Sequence, residues 1–537
     1  MTSTTPANPG QYTSTPTTIG GVVGAPSAAR AAQLVRRASG GKDSAPVEMT
    51  APFTGLVNAT LPQATDADAR RAFANAREAQ RAWAATPIAD RQRVLIRLHD
   101  LLLERQDEVL DLVQLEAGKA RMDAFDEVCS SALVAAYYGK HSAKILGAKR
   151  SAGLIPVLTK AGELRHPKGV VGIISPWNYP LALTAMDVFP ALVAGNTVVQ
   201  KADNQTALSA LWLHELAEEA GLPAGVWQIV LGRGSKIGDA MVEESDYLCF
   251  TGSTPVGKKL AGQVSTRLTG YSLELGGKNP MVVLPDANVA KAATGAVTAC
   301  FSSAGQLCVS VERIYVHESI REEFARAFVA KTEALRLGST LDYGADMGSL
   351  TSADQLESVS AHVEDARAKG VTVLTGGRAR PDVGPLFYEP TVLTGVTEDV
   401  RLFAEETFGP VVAIYGYTDL DDAVDRANDT SFGLNASVWS RDGAAGWAVA
   451  ARLKAGTVNV NEGYAATFGS VAVPMGGMKE SGVGRRNGPE GLLKYTESQS
   501  IAVQRGLKLR PMRGLPPKLW TKSMTASMRV LRRLPGR

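Results

Sequence analysis

Short, unbroken apolar runs recur through this chain and restrict its fold more than any other feature. Gly169-Val-Val-Gly-Ile-Ile-Ser175 is the clearest, and residues 197–200, 227–231, 247–251 and 281–284 repeat the pattern. A strand apolar at every position, rather than at every second one, is covered on both faces, which is the condition of a parallel sheet. Between the runs, residues 205–220, 235–243 and 253–263 read as helices. Strands alternating with helices at this spacing imply right-handed crossovers and a doubly wound sheet, which binds nucleotides at the carboxyl ends of its strands. A second alternation opens with a helix over 289–301, capped by Asn288, then strand 313–316 and helix 321–335. It runs on through helix 353–369, strands 372–374 and 411–415, helix 420–428, strand 436–439, helix 444–453 and strand 457–460. Ahead of both, residues 66–84, 88–117 and 120–146 read as helices, with Asp90 placed as an N-cap and Gly118 as a stop. A chain of 537 residues has length for about two or three domains.

The charge is unevenly placed. From Ser498 onward there are ten Lys and Arg and no Asp or Glu, leaving 47 basic against 54 acidic residues before that point. Basic charge confined to one end argues against nucleic acid as a partner. The segment 518–537 fits a basic amphipathic helix with Trp520, Met524, Met528 and Leu531 on one face. That face either packs on the body or a partner subunit or makes peripheral contact with a membrane surface. No apolar run reaches the roughly 18 residues that a spanning helix needs, so no transmembrane segment is expected. The Thr, Ser, Pro and Gly-rich start lacks the charged and apolar regions of a signal peptide, and residues 1–45 are expected to be disordered. Four cysteines form no C-x-x-C pair, and the six histidines add no ligand spacing. No metal is expected, and a reducing cytoplasm is. Cys129, Cys249 and Cys300 suit small buried apolar positions.

The fourth, Cys308, stands in Gly305-Gln-Leu-Cys-Val-Ser310. A thiol attacks carbonyls even with a modest thiolate fraction. Gly305 permits a turn that exposes the sulfur and aims the Cys308 N–H at an incoming oxygen. Taken alone, such a Cys is equally at home as a packing residue. Glu274 ends an apolar strand between Leu273 and Leu275, where desolvation raises a carboxyl toward the range of a general base. A strand-end salt bridge is the plainer alternative. Asn178 follows strand 169–175 between Pro176 and Pro180. A side-chain amide held there can stabilise an oxyanion, a contribution of ~3–4 kcal/mol, although Asn beside Pro is also a common turn residue.

Together these motifs resemble one family. Pro176-Trp-Asn-Tyr-Pro180, Phe250-Thr-Gly-Ser253, Glu274-Leu-Gly-Gly-Lys278, Gly305-Gln-Leu-Cys308 and Glu405-Glu-Thr-Phe-Gly-Pro410 occur in the order and spacing of the aldehyde dehydrogenase superfamily. The resemblance runs from about residue 48 to about 505. Asp346-Met-Gly-Ser-Leu350, Gly384-Pro-Leu-Phe-Tyr-Glu-Pro390, Gly433-Leu-Asn-Ala-Ser-Val438 and Arg485 to Tyr495 are similar to the actinobacterial branch of succinate-semialdehyde dehydrogenases, second type, and that similarity continues into the Trp520-Thr-Lys522 tail. The resemblance implies the α/β aldehyde dehydrogenase fold, with a Rossmann-like cofactor domain over 46–149 and 169–277 and an α/β catalytic domain over 278–476. It also implies a small β oligomerisation arm over 150–168 and 488–507, ahead of the basic tail 508–537. Cys308 is then the nucleophile, Asn178 with the Cys308 N–H the oxyanion hole, and Glu274 the base that activates water. Lys201 and Asn204 fall at the adenosine ribose, and Gly252 and Ser253 at the pyrophosphate beside a helix N-terminus. Glu406 falls at the nicotinamide ribose, with Phe408 against the ring and Trp177 and Leu275 lining the site. Homodimers or homotetramers are implied as well.

The chain departs from the family pattern in two places. NAD-preferring members carry Lys-Pro-Ala/Ser-Glu where this chain has Lys201-Ala-Asp-Asn204. Asn204 removes a carboxylate that would repel a 2′-phosphate, and Lys201 can pair with that phosphate. NADP is therefore the preferred cofactor and NAD the alternative. The two arginines that clamp the substrate carboxylate in better-known succinate-semialdehyde dehydrogenases are Met186 and Ser302 here, which leaves Lys479, Arg485 and Arg486 as other sources of a cation. The expected reaction is non-acylating oxidation of a small-molecule aldehyde, succinate semialdehyde first, to the free acid. A broad-specificity, aromatic or medium-chain aldehyde dehydrogenase is the enzymatic alternative, and a non-catalytic nucleotide-binding scaffold the other.

Overall fold

The computed structural model describes residues 21–533, apart from 23, 42–43, 155–157, 506–509 and 512. Two large sheets organise it. The first has six strands, in the order Gly482–Val483, Gly270–Glu274, Tyr247–Thr251, Val170–Ile174, Thr197–Lys201 and Trp227–Val230. Five of these run parallel; four of them coincide with the apolar runs read from sequence, whereas Gly270–Glu274 has no such run and the run at 281–284 lies in the other large sheet as Asn279–Val283. The sixth, Gly482–Val483, returns antiparallel from far down the chain and sets Gly482 opposite Glu274. Because Val170–Ile174 comes first in the chain yet lies inside the sheet, with Thr197–Lys201 on one side and Tyr247–Thr251 on the other, the strand order reverses there. A doubly wound sheet opens a crevice at such a point, above its carboxyl ends.

The second sheet has seven strands, in the order Thr372–Thr375, Thr391–Thr394, Val411–Tyr417, Val311–His317, Asn279–Val283, Asn435–Trp439 and Thr457–Val460. All are parallel except the edge strand Thr372–Thr375. A third, antiparallel sheet sets Thr159–Pro167 between Lys149–Ala152 and Thr496–Gln504.

Several elements differ from expectation. The reading of one helix over 88–117 breaks at Arg105 (φ −114°) into Ile88–Glu104 and Gln106–Ala117, and the N-cap is Pro87, with Asp90 inside the first turn. Gly118 does stop the second helix, in the left-handed conformation at φ 78°. The helix Pro180–Val193 has no counterpart in the sequence reading, because every one of its residues is buried and no polar face marks its period. Residues 488–493, assigned to the arm, form a short helix, Gly488–Leu493. The disorder expected before residue 46 falls partly on residues 1–20, outside the described ones. Within the described residues, Ala28–Val35 is a helix capped by Ser27, with Leu34 buried and Arg30 bridging Glu108 and Glu215 at 2.5 and 2.6 Å. One apolar residue per turn and a two-carboxylate clamp dock it where bulk composition suggested nothing would dock.

Candidate active site

The loop after Val170–Ile174 carries Asn178 and runs straight into helix Pro180–Val193, whose N-cap, Tyr179, makes no side-chain cap. A buried ion pair does that work. The Lys119 ammonium donates to the Glu127 carboxylate (2.6 Å) and to the Asn178 carbonyl (2.6 Å), and neither side chain of the pair has any exposure. The second Glu127 oxygen accepts the Leu181 and Ala182 N–H groups at 2.8 and 3.1 Å, satisfying two otherwise orphaned helix donors. The Asn178 amide donates one N–H to the Gln306 carbonyl (3.0 Å), which ties this loop to the one bearing Cys308.

The Cys308 loop follows helix Val289–Phe301, which Asn288 caps by accepting the Lys291 N–H. Ser303, Ala304 and Gly305 are all left-handed, with φ of 53°, 54° and 70°. A side chain at Gly305 would strike the Gly409 carbonyl, so this glycine is needed both for its dihedrals and for close approach. Asp123 accepts the Ser303 N–H (2.9 Å), Gln306 Oε1 accepts the Thr351 N–H (3.0 Å), and Asn279 donates to the Cys308 carbonyl (2.8 Å).

Glu274 ends its strand in the first sheet, and Glu406 and Phe408 come from the loop before Val411–Tyr417 in the second. Glu406 accepts the Gly277 N–H (2.8 Å), and a Cβ at Gly276 would collide with its carboxylate. A second buried pair, Lys278–Glu312, holds this loop: Glu312 accepts the backbone N–H groups of Thr407 and Phe408 at 3.0 Å each. Phe408 sits at φ 52° with its ring edge-on to Trp177, 5.6 Å between centroids.

The loops bearing Asn178, Cys308 and Glu406, with the ends of strands Tyr247–Thr251 and Gly270–Glu274, line one pocket of about 270 Å³. Cys308, Glu274 and Asn178 line it, and so do Trp177, Gly252, Ser253, Leu275, Glu406 and Phe408. Lys201 and Asn204 are not among its lining: the Lys201 ammonium lies 3.6 Å from Asp203, and Asn204 donates to Gln63 (3.0 Å). Gln355, Thr251 and Gly276 line the pocket without having been singled out from sequence. Gln355 donates to the Phe408 carbonyl (2.7 Å) from the first turn of helix Ala353–Ala368, and no local pattern marks that reach. Of the three cations considered for a substrate carboxylate, Arg486 is buried against Asp187 (2.5 Å) and Thr251. Lys479 holds the carbonyls of Asn428 and Thr430, and Arg485 those of Gly477 and Gly484. None of the three lines the pocket. Met186 is buried, and Ser302 opens on a separate cavity that also has Asp123 and Asp126 in its wall.

Burial sets the proton affinities here. It pushes the Cys308 thiol up to about 12, with the Glu406 and Glu274 carboxylates adding to the effect. Glu274 rises to about 7 through burial, opposed by Arg486 and Lys494, and its Oε1 has no hydrogen-bond partner among the described residues. Glu406 rises to about 8 through burial and the nearby Glu312. The pocket thus holds a protonated thiol beside a carboxyl that can take a proton near neutral pH.

The sequence profile of the Aldehyde dehydrogenase family matches residues 39–501. The chain belongs to the aldehyde dehydrogenase family. It is 52% identical over 496 residues to a Mycolicibacterium smegmatis protein that carries, by inference, the name succinate-semialdehyde dehydrogenase (NADP+); the match covers 92% of this chain and 96% of that one. It is 36% identical over 486 residues to the mitochondrial succinate-semialdehyde dehydrogenase of Oryza sativa subsp. japonica, covering 88% and 90%. Among solved structures, an E. coli NADP-dependent enzyme superposes with a TM-score of 0.84 at 32% identity, over 88% of this chain and 99% of that one. Betaine aldehyde dehydrogenase from Staphylococcus aureus, solved with NAD+, superposes with a TM-score of 0.83 at 31% identity, over 89% and 98%.

A nicotinamide cofactor, as the aldehyde dehydrogenase family implies, suits the residues present. The crevice lies at the strand-order reversal, and Gly252 and Ser253 lead into the N-terminus of helix Thr254–Ser265. Asn204 Oδ1, Thr254 Oγ1 and Glu274 Oε1 are buried acceptors without partners among the described residues, placed along the loops that border it.

Proposed function

We propose that this aldehyde dehydrogenase oxidises succinate semialdehyde to succinate with NADP, through a thioester on Cys308 that Glu274 helps to hydrolyse. The observation that carries the reaction is the meeting of Cys308, Asn178 and Glu274, drawn from three distant parts of the chain, in one pocket with Glu406 and Phe408. The Cys308 thiol gives up its proton to water as the sulfur bonds to the aldehyde carbon, and the carbonyl electron pair moves onto oxygen. The Cys308 N–H and the Asn178 N–H not given to Gln306 receive that oxyanion. The nicotinamide, when bound, supplies a hydride acceptor. Glu274 then draws a proton from water as it adds to the thioester carbon, and cleavage of the C–S bond releases the acid and returns the thiol. In this reading Lys201 and Asn204 hold the adenosine ribose, Gly252 and Ser253 the pyrophosphate, and Glu406 the nicotinamide ribose, while Trp177, Leu275 and Phe408 line the ring site. The units that carry these roles are 46–149 with 169–277, and 278–476. The antiparallel sheet of 149–167 and 496–504 mediates self-association in the cytoplasm.

NADP is supported by the names of relatives and by Asn204, a neutral residue three positions after Lys201. Asn204→Glu should move the ratio of kcat/KM values from NADP toward NAD by at least tenfold, roughly 1.4 kcal/mol; an unmoved ratio refutes the assignment. The substrate is supported by the names of relatives alone. A second reading, an uncharged aldehyde, is favoured by the pocket's lining, which includes the carboxyls of Glu274 and Glu406 and no Lys or Arg among the described residues. Comparing kcat/KM for succinate semialdehyde, benzaldehyde and a medium-chain alkanal decides between them. Faster turnover of the uncharged aldehydes overturns the first.

A further inference from the structure

The described residues after Gln504 belong to none of the sheets and lie beyond the family match, which ends at residue 501. Its described part forms one helix, Pro517–Leu531, started by Pro at its first position. No residue of this helix is buried. Trp520, Met524, Met528 and Leu531 fall at helical spacing on one side, and Leu519 and Val530 widen the stripe. Leu519, Met528 and Val530 are 55%, 58% and 62% exposed, and Trp520, Met524 and Leu531 are half-buried, so the stripe is covered only in part by its own chain. Lys518, Lys522, Arg529 and Arg533 fall on the opposite side.

Charge decides what covers the stripe. From Ser498 to the end there are ten cations and no anion. Four of them, Lys518, Lys522, Arg529 and Arg533, lie across the helix from the stripe, so a protein groove that took the stripe would leave those four facing water. At a bilayer interface both sides are used: the apolar side sinks to the acyl boundary, while Lys and Arg stay level with the phosphates and Trp anchors at headgroup depth. We propose that helix Pro517–Leu531 docks this protein on an anionic lipid surface. One such helix gives reversible binding, since a single short apolar face is a weak anchor and the electrostatic part is screened by salt.

The full-length protein is sedimented with vesicles of phosphatidylcholine, with and without phosphatidylglycerol. It should pellet with the mixed vesicles, stay in solution with phosphatidylcholine alone, and be released by high salt. Lys522→Gln should lower the partition coefficient about fivefold, the share of one interfacial cation. Met524→Asp should abolish pelleting and leave dehydrogenase turnover in solution unchanged. Wild-type protein that stays in solution with the mixed vesicles overturns the proposal, as does undiminished pelleting of Met524→Asp. A Met524→Asp variant of reduced oligomer mass by light scattering, with wild type not pelleting, assigns the stripe to a second copy instead. Vesicle binding is read without substrate, so its failure leaves the reaction untouched.

Discussion

Cys308 is approached through Ser303 and Ala304, two non-glycine residues in the left-handed region, where each costs on the order of 1–3 kcal/mol unless its surroundings hold it. Asp123, on helix Arg121–Leu146, accepts the Ser303 N–H and supplies part of that hold. Cys308→Ala should abolish turnover and leave cofactor binding intact, as titrated by fluorescence quenching; residual turnover would remove the sulfur from the mechanism. Glu274→Gln should allow one turnover and then stall before the acid is released, so rapid mixing should record a burst of reduced cofactor without steady state. In the wild type, a base titrating at about 7 makes deacylation fall as pH drops below that value, toward tenfold per unit, and level off above it. Folding stability carries the same carboxyl with the opposite sense. Its folded pKa is raised from the ordinary 4.5 to about 7, so the stability it allows is fully present below 4.5 and lost as pH rises through 7. Glu274→Gln removes that loss. The variant's unfolding midpoint should gain on the wild type between those pH values, by up to about 3 kcal/mol of stability; a gap independent of pH would refute the buried titration.

At the scale of elements, two buried ion pairs do what sequence patterns do not advertise. Lys119–Glu127 fixes the start of helix Pro180–Val193 and the Asn178 carbonyl, and Lys278–Glu312 fixes the backbone of Thr407 and Phe408. Each member looks in sequence like an ordinary surface charge. Glu312→Gln leaves the Lys278 ammonium buried without its counter-ion, a change that costs ~3–5 kcal/mol. It should lower the denaturation midpoint and raise KM for the cofactor more than KM for the aldehyde, because Glu406 and Phe408 are what loosen; equal shifts in the two constants would count against it. Strands such as Tyr247–Thr251 and the cap at Asn288 were legible because their signals are local: an unbroken apolar run, and an amide placed before a helix. The break at Arg105 and the helix Pro180–Val193 were not, since the first lies inside a continuous helical pattern and the second has no solvent face to give it a period.

For the whole molecule, the decisive fact is how the two large sheets meet. The crevice at the strand-order reversal of one faces the loops leaving the other, and Gly482–Val483 returns to pair beside Glu274. The antiparallel sheet leaves Thr496–Gln504 as an edge strand, with Ile501 and Val503 each nearly half exposed. An uncovered apolar edge of that length is a pairing surface. If the proposed self-association runs through this edge, the double substitution Ile501→Lys and Val503→Lys should reduce the mass seen by light scattering below that of the wild type, and an unchanged mass would acquit this edge. By itself the sequence determined the parallel α/β class and the family, and it singled out a thiol, an amide and a carboxylate as candidates, because strand burial and motif spacing are written locally. Only the tertiary structure decided that the three groups share a pocket, that Arg486 serves Asp187 rather than a substrate, and that no residue of the tail helix is fully buried. Those outcomes depend on contacts between residues hundreds of positions apart, which no local pattern records.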